Sequence, residues 1–222
     1  LWGFQGENQI SQPPQDIIID MMEYIGSDKI NISFEGELKN RAYFYSKSHP
    51  QVSLNLGAIA KGYAVDIISE SLSHLGYVNH YVEIGGEIIC HGLNKNEKEW
   101  VVGIAFPEFG SSKPFLDLAL SNHAIATSGT YNQSIILDGV EYNHIFDPRT
   151  GSPALNNIIS VTVISDKCYI SDALTTSLKV LDVDDGLQLI EDLLNTECMF
   201  ILKGEDGIKK HSSSGFSNFI IN

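Results

Sequence analysis

The segment Asn55-Leu-Gly-Ala-Ile-Ala-Lys-Gly-Tyr-Ala-Val-Asp66 leaves the backbone few options. A short apolar strand enters a loop of small residues carrying one lysine, and an amphipathic helix follows. Gly57, Ala58, Ala60 and Gly62 let main-chain amides approach a ligand closely. The first turn of the helix offers unpaired N–H groups and the positive end of its dipole. Lys61 adds the only full positive charge there. A loop of this build makes room for phosphate. Its spacing is neither that of the nucleoside triphosphatase loop, where lysine follows the second glycine and precedes Ser or Thr, nor that of the three-glycine dinucleotide fingerprint. The same residues also describe a plain strand-to-helix turn with an exposed lysine.

The helix after the loop spans Ala60 to Leu75, with apolar residues at 64, 65, 67, 68, 72 and 75 and Gly76 as a left-handed cap. Ahead of it, Pro13-Pro14 opens a short helix over Asp16 to Ile25 that ends at Gly26, and residues 30 to 45 alternate as strands. From Val78 to Thr127, short runs of Val, Ile and Phe are separated by Gly-Gly, Gly-Leu-Asn and Phe-Pro-Glu turns, as an antiparallel sheet requires. Another hairpin turns at Asp138-Gly139. Ile158 to Ile164 is expected as a strand, Ser171 to Leu181 as a helix capped by Ser171, and Asp184 to Leu194 as a second helix. Cys198 to Leu202 and Ile208 to His211 close the chain as a hairpin around Glu205-Asp206-Gly207. Hairpin-linked strands with a few helices predict the α+β class, a mixed, mostly antiparallel sheet with packed helices, and not a doubly wound parallel sheet. With 222 residues and no repeats, linkers or low-complexity tracts, the chain is expected to form one domain.

Charge narrows the partners. Acidic residues number 28 against 14 basic, a formal charge of -14, which disfavours nucleic acid and repels anionic substrates at long range. An anionic ligand therefore needs a local cation. No apolar run approaches the ~20 residues that span a bilayer. Cys90, Cys168 and Cys198 are far apart and odd in number, and read as buried filler. The chain opens at Leu1 without methionine or signal segment, so it is expected to be a processed form or a fragment, with any anchor upstream.

Three further constellations carry chemistry. In Asn143-His-Ile-Phe-Asp-Pro-Arg-Thr-Gly151, Pro148 holds Asp147 extended and starts a turn, so His144 sits on a stiff element where a general base can act. The alternative is a turn whose Asp caps backbone amides while His144 packs on the sheet. Asp172 and Thr176 stand at i and i+4 of one helix, so a carboxylate and a hydroxyl converge as hard oxygen ligands suited to magnesium, with ligand phosphates completing the shell. The same pair also fits an acidic residue near a helix N-terminus and a threonine bonded to its own backbone. Glu83-Ile-Gly-Gly-Glu87 and Thr127-Ser-Gly-Thr-Tyr131 break apolar strands with glycine beside polar groups, either to admit a flat ligand or as a turn and a bulge.

Taken in order, Leu1-Trp-Gly-Phe4, the lysine loop, Glu83 to Glu87, Thr127 to Tyr131, His144 to Gly151 and Ser171 to Thr176 resemble the ApbE-like FAD:protein FMN transferases over nearly the whole chain. The resemblance implies an ApbE-like domain lacking its N-terminal part, from which some of the flavin pocket would come. It implies FAD as substrate, magnesium as cofactor, and transfer of FMN to a threonine of an acceptor flavoprotein with release of AMP. The acceptor would be a subunit of a membrane redox complex or a small FMN-carrying domain, and the setting a bacterial cell envelope or periplasm, with a lipid anchor upstream. Carried over residue by residue, the main-chain carbonyl of Ala58 with Asp172 and Thr176 would hold magnesium. Gly57, Lys61, Gly62 and the loop amides would face the pyrophosphate, and Glu83, Gly85, Gly86, Ser128 and Gly129 would line the flavin nucleotide. His144 would take the acceptor's proton, with Asp147 orienting it or stiffening its turn. The family commonly has Asp or Ser at Asn55, Asn-x-Gly-Gly-Asp at residues 83 to 87, and a second histidine at Asn143. An FAD pyrophosphatase and a non-catalytic FAD-binding protein remain compatible with the same residues.

Overall fold

The computed structural model describes residues 1–2, 4, 11–37, 40–106, 114–129, 134–205 and 207–221. Gly3, Thr130, Tyr131, Asp206 and the Pro107-Glu108 portion of the Phe-Pro-Glu turn lie outside the described residues. The chain begins with α1 (Gln15–Met22), the ribbon β1 (Ile30–Glu35) and β2 (Ala42–Lys47), and α2 (Ala60–His74). Strands β3 (His80–Ile84), β4 (Glu87–His91), β5 (Trp100–Ala105), β6 (Pro114–Leu120), β7 (His123–Gly129), β8 (Ser134–Leu137) and β9 (Val140–Asn143) follow. Two short strands, β10 (Phe146–Asp147) and β11 (Ser152–Pro153), lead into β12 (Ile158–Ser165), α3 (Cys168–Leu178), α4 (Val183–Glu191), β13 (Glu197–Gly204) and β14 (Gly207–Ser212).

The central sheet has six strands in the order β14-β13-β12-β7-β4-β3, and each neighbouring pair is antiparallel, giving the α+β arrangement expected from the sequence. Side-chain alternation divides its core in two. Val161, Val163, Phe200 and Leu202 face α3 and α4, joined by Leu178 and Ile190. Farther along that face, Val82, Ile89 and Ala124 pack on Val65 of α2. Ile88, Cys90, Ile164, Met199 and Ile201 point the other way, onto the β5–β6 ribbon and Phe216. The Asp138-Gly139 hairpin turn forms as expected, both residues having positive φ (50° and 78°). The thiols are buried, and burial pushes those of Cys90 and Cys198 up to about 12, so they serve as inert core.

Several boundaries differ from the sequence expectation. Helix α1 ends at Met22, three residues early, and Tyr24 and Ile25 close it in tight turns. Helix α4 runs Val183–Glu191 and not to Leu194. In α2 the buried face is Gly62, Val65, Asp66 and Ser69, whereas Ile67, Ile68 and Leu75 of the apolar stripe are exposed. Helix α3 begins at Cys168, three residues before Ser171, and Ser171 is a fully buried member of its interior bonded to Ser165 Oγ at 2.8 Å. Its cap comes from α2: the Asp66 carboxylate accepts the N–H groups of Cys168 and Tyr169, both at 2.9 Å. Asp172 of α3 returns the favour to α2 by accepting the Gly62 N–H at 3.0 Å. The first turns of the two helices are thus locked together by reciprocal caps.

Gly62 lies at this crossing. A Cβ there would meet the Cys168 carbonyl and come within 2.8 Å of the Tyr169 Cα, all backbone atoms that cannot yield. Gly62→Ala is expected to destabilise the protein by about 3 kcal/mol, read as a lower urea midpoint. A midpoint unchanged from wild type would refute the close approach.

Lys179, just past α3, is 1% exposed, and its ammonium reaches the Ile158 carbonyl at the start of β12. Burial drives its pKa from 10.5 down to about 7. Between those values the unfolded chain holds a proton that the folded chain lacks, so stability falls as pH drops from about 10.5 to 7. Lys179→Met is expected to add about 1–3 kcal/mol at pH 7 and to flatten the stability profile across that window. Urea titrations at pH 7 and 9.5 test it, and a variant as pH-dependent as wild type would contradict the assignment.

Candidate functional site

One cleft of about 700 Å³ gathers residues from the lysine loop and from each of the later segments singled out in the sequence, though none from Leu1 to Phe4. The loop before α2 supplies Asn55, Gly57 and Ala58, the first turn of α2 Lys61, the β3–β4 turn Gly85, the start of β4 Glu87, β7 Thr127, Ser128 and Gly129, the segment after β9 His144, and α3 Asp172 and Thr176. Asp172 is 3% exposed, and its Gly62 contact fixes one oxygen. Ser128 Oγ bonds Thr175 Oγ1 at 2.9 Å and lies 3.5 Å from that of Thr176, tying β7 to α3 at the cleft floor. His144 is half-buried. Its neighbour Asn143 pins the segment, accepting the Ile145 N–H at 2.8 Å and donating to the Ala154 carbonyl at 2.7 Å.

Other expected residues stand elsewhere. Several loop amides expected to face phosphate are already used: Gly57 N–H by the Asn55 side chain, those of Ile59 and Ala60 by the Leu56 carbonyl, and that of Gly62 by Asp172. Gly62 and Gly86 do not line the cleft. Asp147 also lies outside its lining, gripped by the Arg149 guanidinium at 2.8–3.1 Å, which holds its carboxyl below the usual range. Asp147 O also accepts the N–H groups of Thr150 and Gly151. These contacts brace the turn beyond His144.

Glu83 is on the wrong face. Its carboxylate is exposed and accepts the Tyr81 hydroxyl at 3.0 Å. The acid in the cleft is Glu87, 3% exposed and paired with Lys61. Register explains the exchange. The two-residue turn Gly85-Gly86 sets Ile84 opposite Glu87 and Glu83 opposite Ile88, so Glu87 shares the α2-facing side with Val82, Ile84 and Ile89. The alternation of Val82 and Ile84, carried across a two-residue turn, is the sequence signal that picks Glu87. Burial is the main cause raising the Glu87 carboxyl above its ordinary value; Lys61 opposes it and the Asp172 charge adds to it. Glu87 Oε2 is buried and has no hydrogen-bond partner among the described residues.

Beside the cleft, sharing Asn55, Ala58, Phe146 and Thr176 with it, is an apolar cavity of about 470 Å³ walled by Ile59, Pro148, Val180 and Leu181. A third cavity, about 490 Å³, lies behind α2 near Glu70, His74 and His91, and its charges are spent within the wall, Lys167 on Glu70 at 2.7 Å and Asp66 on backbone amides. Among the described residues no group of three or more His, Cys, Asp or Glu converges to hold a metal, and no helix is long and apolar enough to cross a membrane. A cation in the cleft would draw on oxygen donors of mixed type.

Comparison with known proteins bears on the family and the fold. The protein named FAD:protein FMN transferase in Vibrio cholerae is 34% identical over 220 residues, covering 99% of this chain and 64% of its own length. Its namesake in Haemophilus influenzae is 34% identical over 218 residues, covering 97% and 62%. This chain spans just under two thirds of these curated relatives. The solved flavin transferase ApbE from Vibrio cholerae superposes with a TM-score of 0.82 at 34% identity, over 99% of this chain and 67% of that one. The ApbE protein of Thermotoga maritima gives 0.80 at 30% identity, over 100% and 69%. The profile of the ApbE family matches residues 1–200, and the chain belongs to that family.

Proposed function

We propose that this chain carries a magnesium-assisted site that transfers FMN from FAD to a threonine of an acceptor flavoprotein, with AMP as the second product. The observation that supports it most is the convergence of Lys61, His144, Asp172 and Thr176 on one cleft, in a chain whose curated relatives are named FAD:protein FMN transferase.

The donors suit magnesium. Asp172, the Thr176 hydroxyl and the Ala58 carbonyl are hard oxygens, and the unpartnered buried oxygen of Glu87 adds negative potential to the same wall. When bound, the cation would withdraw charge from the phosphoryl group being transferred. Lys61 would offer its ammonium to the pyrophosphate oxygens. His144 would accept the proton of the acceptor hydroxyl as that oxygen bonds to the FMN phosphorus and the P–O bond to AMP breaks, AMP leaving with the electron pair. Gly57, Gly85 and Gly129 would leave room for the phosphates, and the apolar cavity by Ile59 and Val180 would receive one ring of the dinucleotide.

The decisive experiment is incubation with FAD, magnesium and a candidate acceptor domain, followed by intact mass of the acceptor and nucleotide analysis. An acceptor heavier by one FMN with matching AMP supports transfer. AMP with free FMN assigns hydrolysis instead, and FAD that stays intact beside an unmodified acceptor leaves a binding role.

A further inference from the structure

The charged side chains on the cleft wall are one cation and two carboxylates among the described residues: Lys61, Glu87 and Asp172. Lys61 is not a free positive charge. Its ammonium is paired with Glu87 Oε1, and the acid side is the buried one, with 4% side-chain exposure against 45% for the lysine. The other Glu87 oxygen is buried without a partner among the described residues, and a Cβ added to Gly85 would be 3.7 Å from it and 3.5 Å from the Lys61 Cδ, so pair and turn are packed as one unit. A pyrophosphate entering alone would meet a wall whose positive charge is already balanced and whose remaining charge is negative. Nothing at long range helps, since the whole chain is at -14.

We propose that Glu87 makes phosphate binding in this cleft conditional on a cation: it balances Lys61 and sets a second carboxylate beside Asp172, so that pyrophosphate is admitted as its metal complex and not as the free anion. This rests on the dinucleotide reading above and goes beyond it by naming what enforces the metal requirement. Glu87 acts here as a positioning residue for Lys61, through binding and not through the chemical step. Its removal should therefore improve one measurable property, metal-free affinity, which loss of a merely structural group would not do.

Calorimetry with FAD and with inorganic pyrophosphate, in magnesium and in chelator, tests it on wild type, Glu87→Gln, Lys61→Met and the double variant. Wild type should bind both probes in magnesium and at least about tenfold more weakly in chelator. In chelator Glu87→Gln should bind at least about tenfold more tightly than wild type, and the double variant should lose that gain, because the gain flows through the released lysine. Lys61→Met alone should bind both probes in chelator no more tightly than wild type, since it strips the wall of its cation and leaves both carboxylates, a result that stands even where Glu87→Gln fails to fold. No gain in Glu87→Gln, a gain that persists in the double variant, or tighter binding by Lys61→Met under chelator would each overturn the inference while the dinucleotide site survives. Wild type binding neither probe in magnesium would overturn both.

Discussion

Replacing His144 with alanine is expected to lower FMN transfer by about three orders of magnitude while FAD affinity stays within about twofold. The separation follows from position. His144 borders the cleft from the segment after β9, whereas Lys61, Asp172 and Thr176 come from α2 and α3 on other elements. The segment has braces besides the imidazole: Asn143 bonds both Ile145 and Ala154, and Asp147 with Arg149 stiffens the following turn. Single-turnover mass spectrometry of the acceptor reads the chemical step, and quenching of flavin fluorescence reads binding. Transfer at the wild-type rate would remove His144 as base. Parallel losses of transfer and binding would make it a binding group instead.

Asp172→Asn is expected to raise the magnesium concentration for half-maximal activity by about a hundredfold, with transfer lost at limiting metal and partly regained at saturation. An asparagine keeps one oxygen for the Gly62 N–H, so the reciprocal cap survives and melting should change little. What disappears is the charge of the one carboxylate among the three expected ligands. A metal dependence unchanged by the substitution would refute Asp172 as a ligand, and a large drop in melting temperature would make it a helix lock only.

Much of this arrangement was legible in the residues. Chain segments with strong local signals landed where expected: the sheet strands with their period of two, the Asp138-Gly139 turn with its paired positive φ, and the lysine loop opening a helix closed by Gly76 at φ 90°. The choice of Glu83 over Glu87 failed on a point of parity. Two acids four residues apart would share a face in an uninterrupted strand, but the Gly85-Gly86 turn intervenes and reverses the relation. The cap of α3 failed for another reason. The residues assign it to Ser171, which is buried in the helix interior against Ser165 Oγ, whereas the amides of Cys168 and Tyr169 are capped by Asp66, some hundred residues earlier.

The division between local and distant causes is therefore physical. Backbone preferences, side-chain periodicity and turn chemistry act within a few residues, and they are enough to specify the α+β class, the order of elements and which segments carry chemistry. Which polar groups are spent on the fold and which are left for a ligand depends on contacts between separate elements, 26 to 110 residues apart in the chain. The Gly62 N–H and the Asp66 carboxylate were taken by helix caps and Lys61 by Glu87, and only the packing of α2 against α3 and the β3–β4 register could decide those pairings.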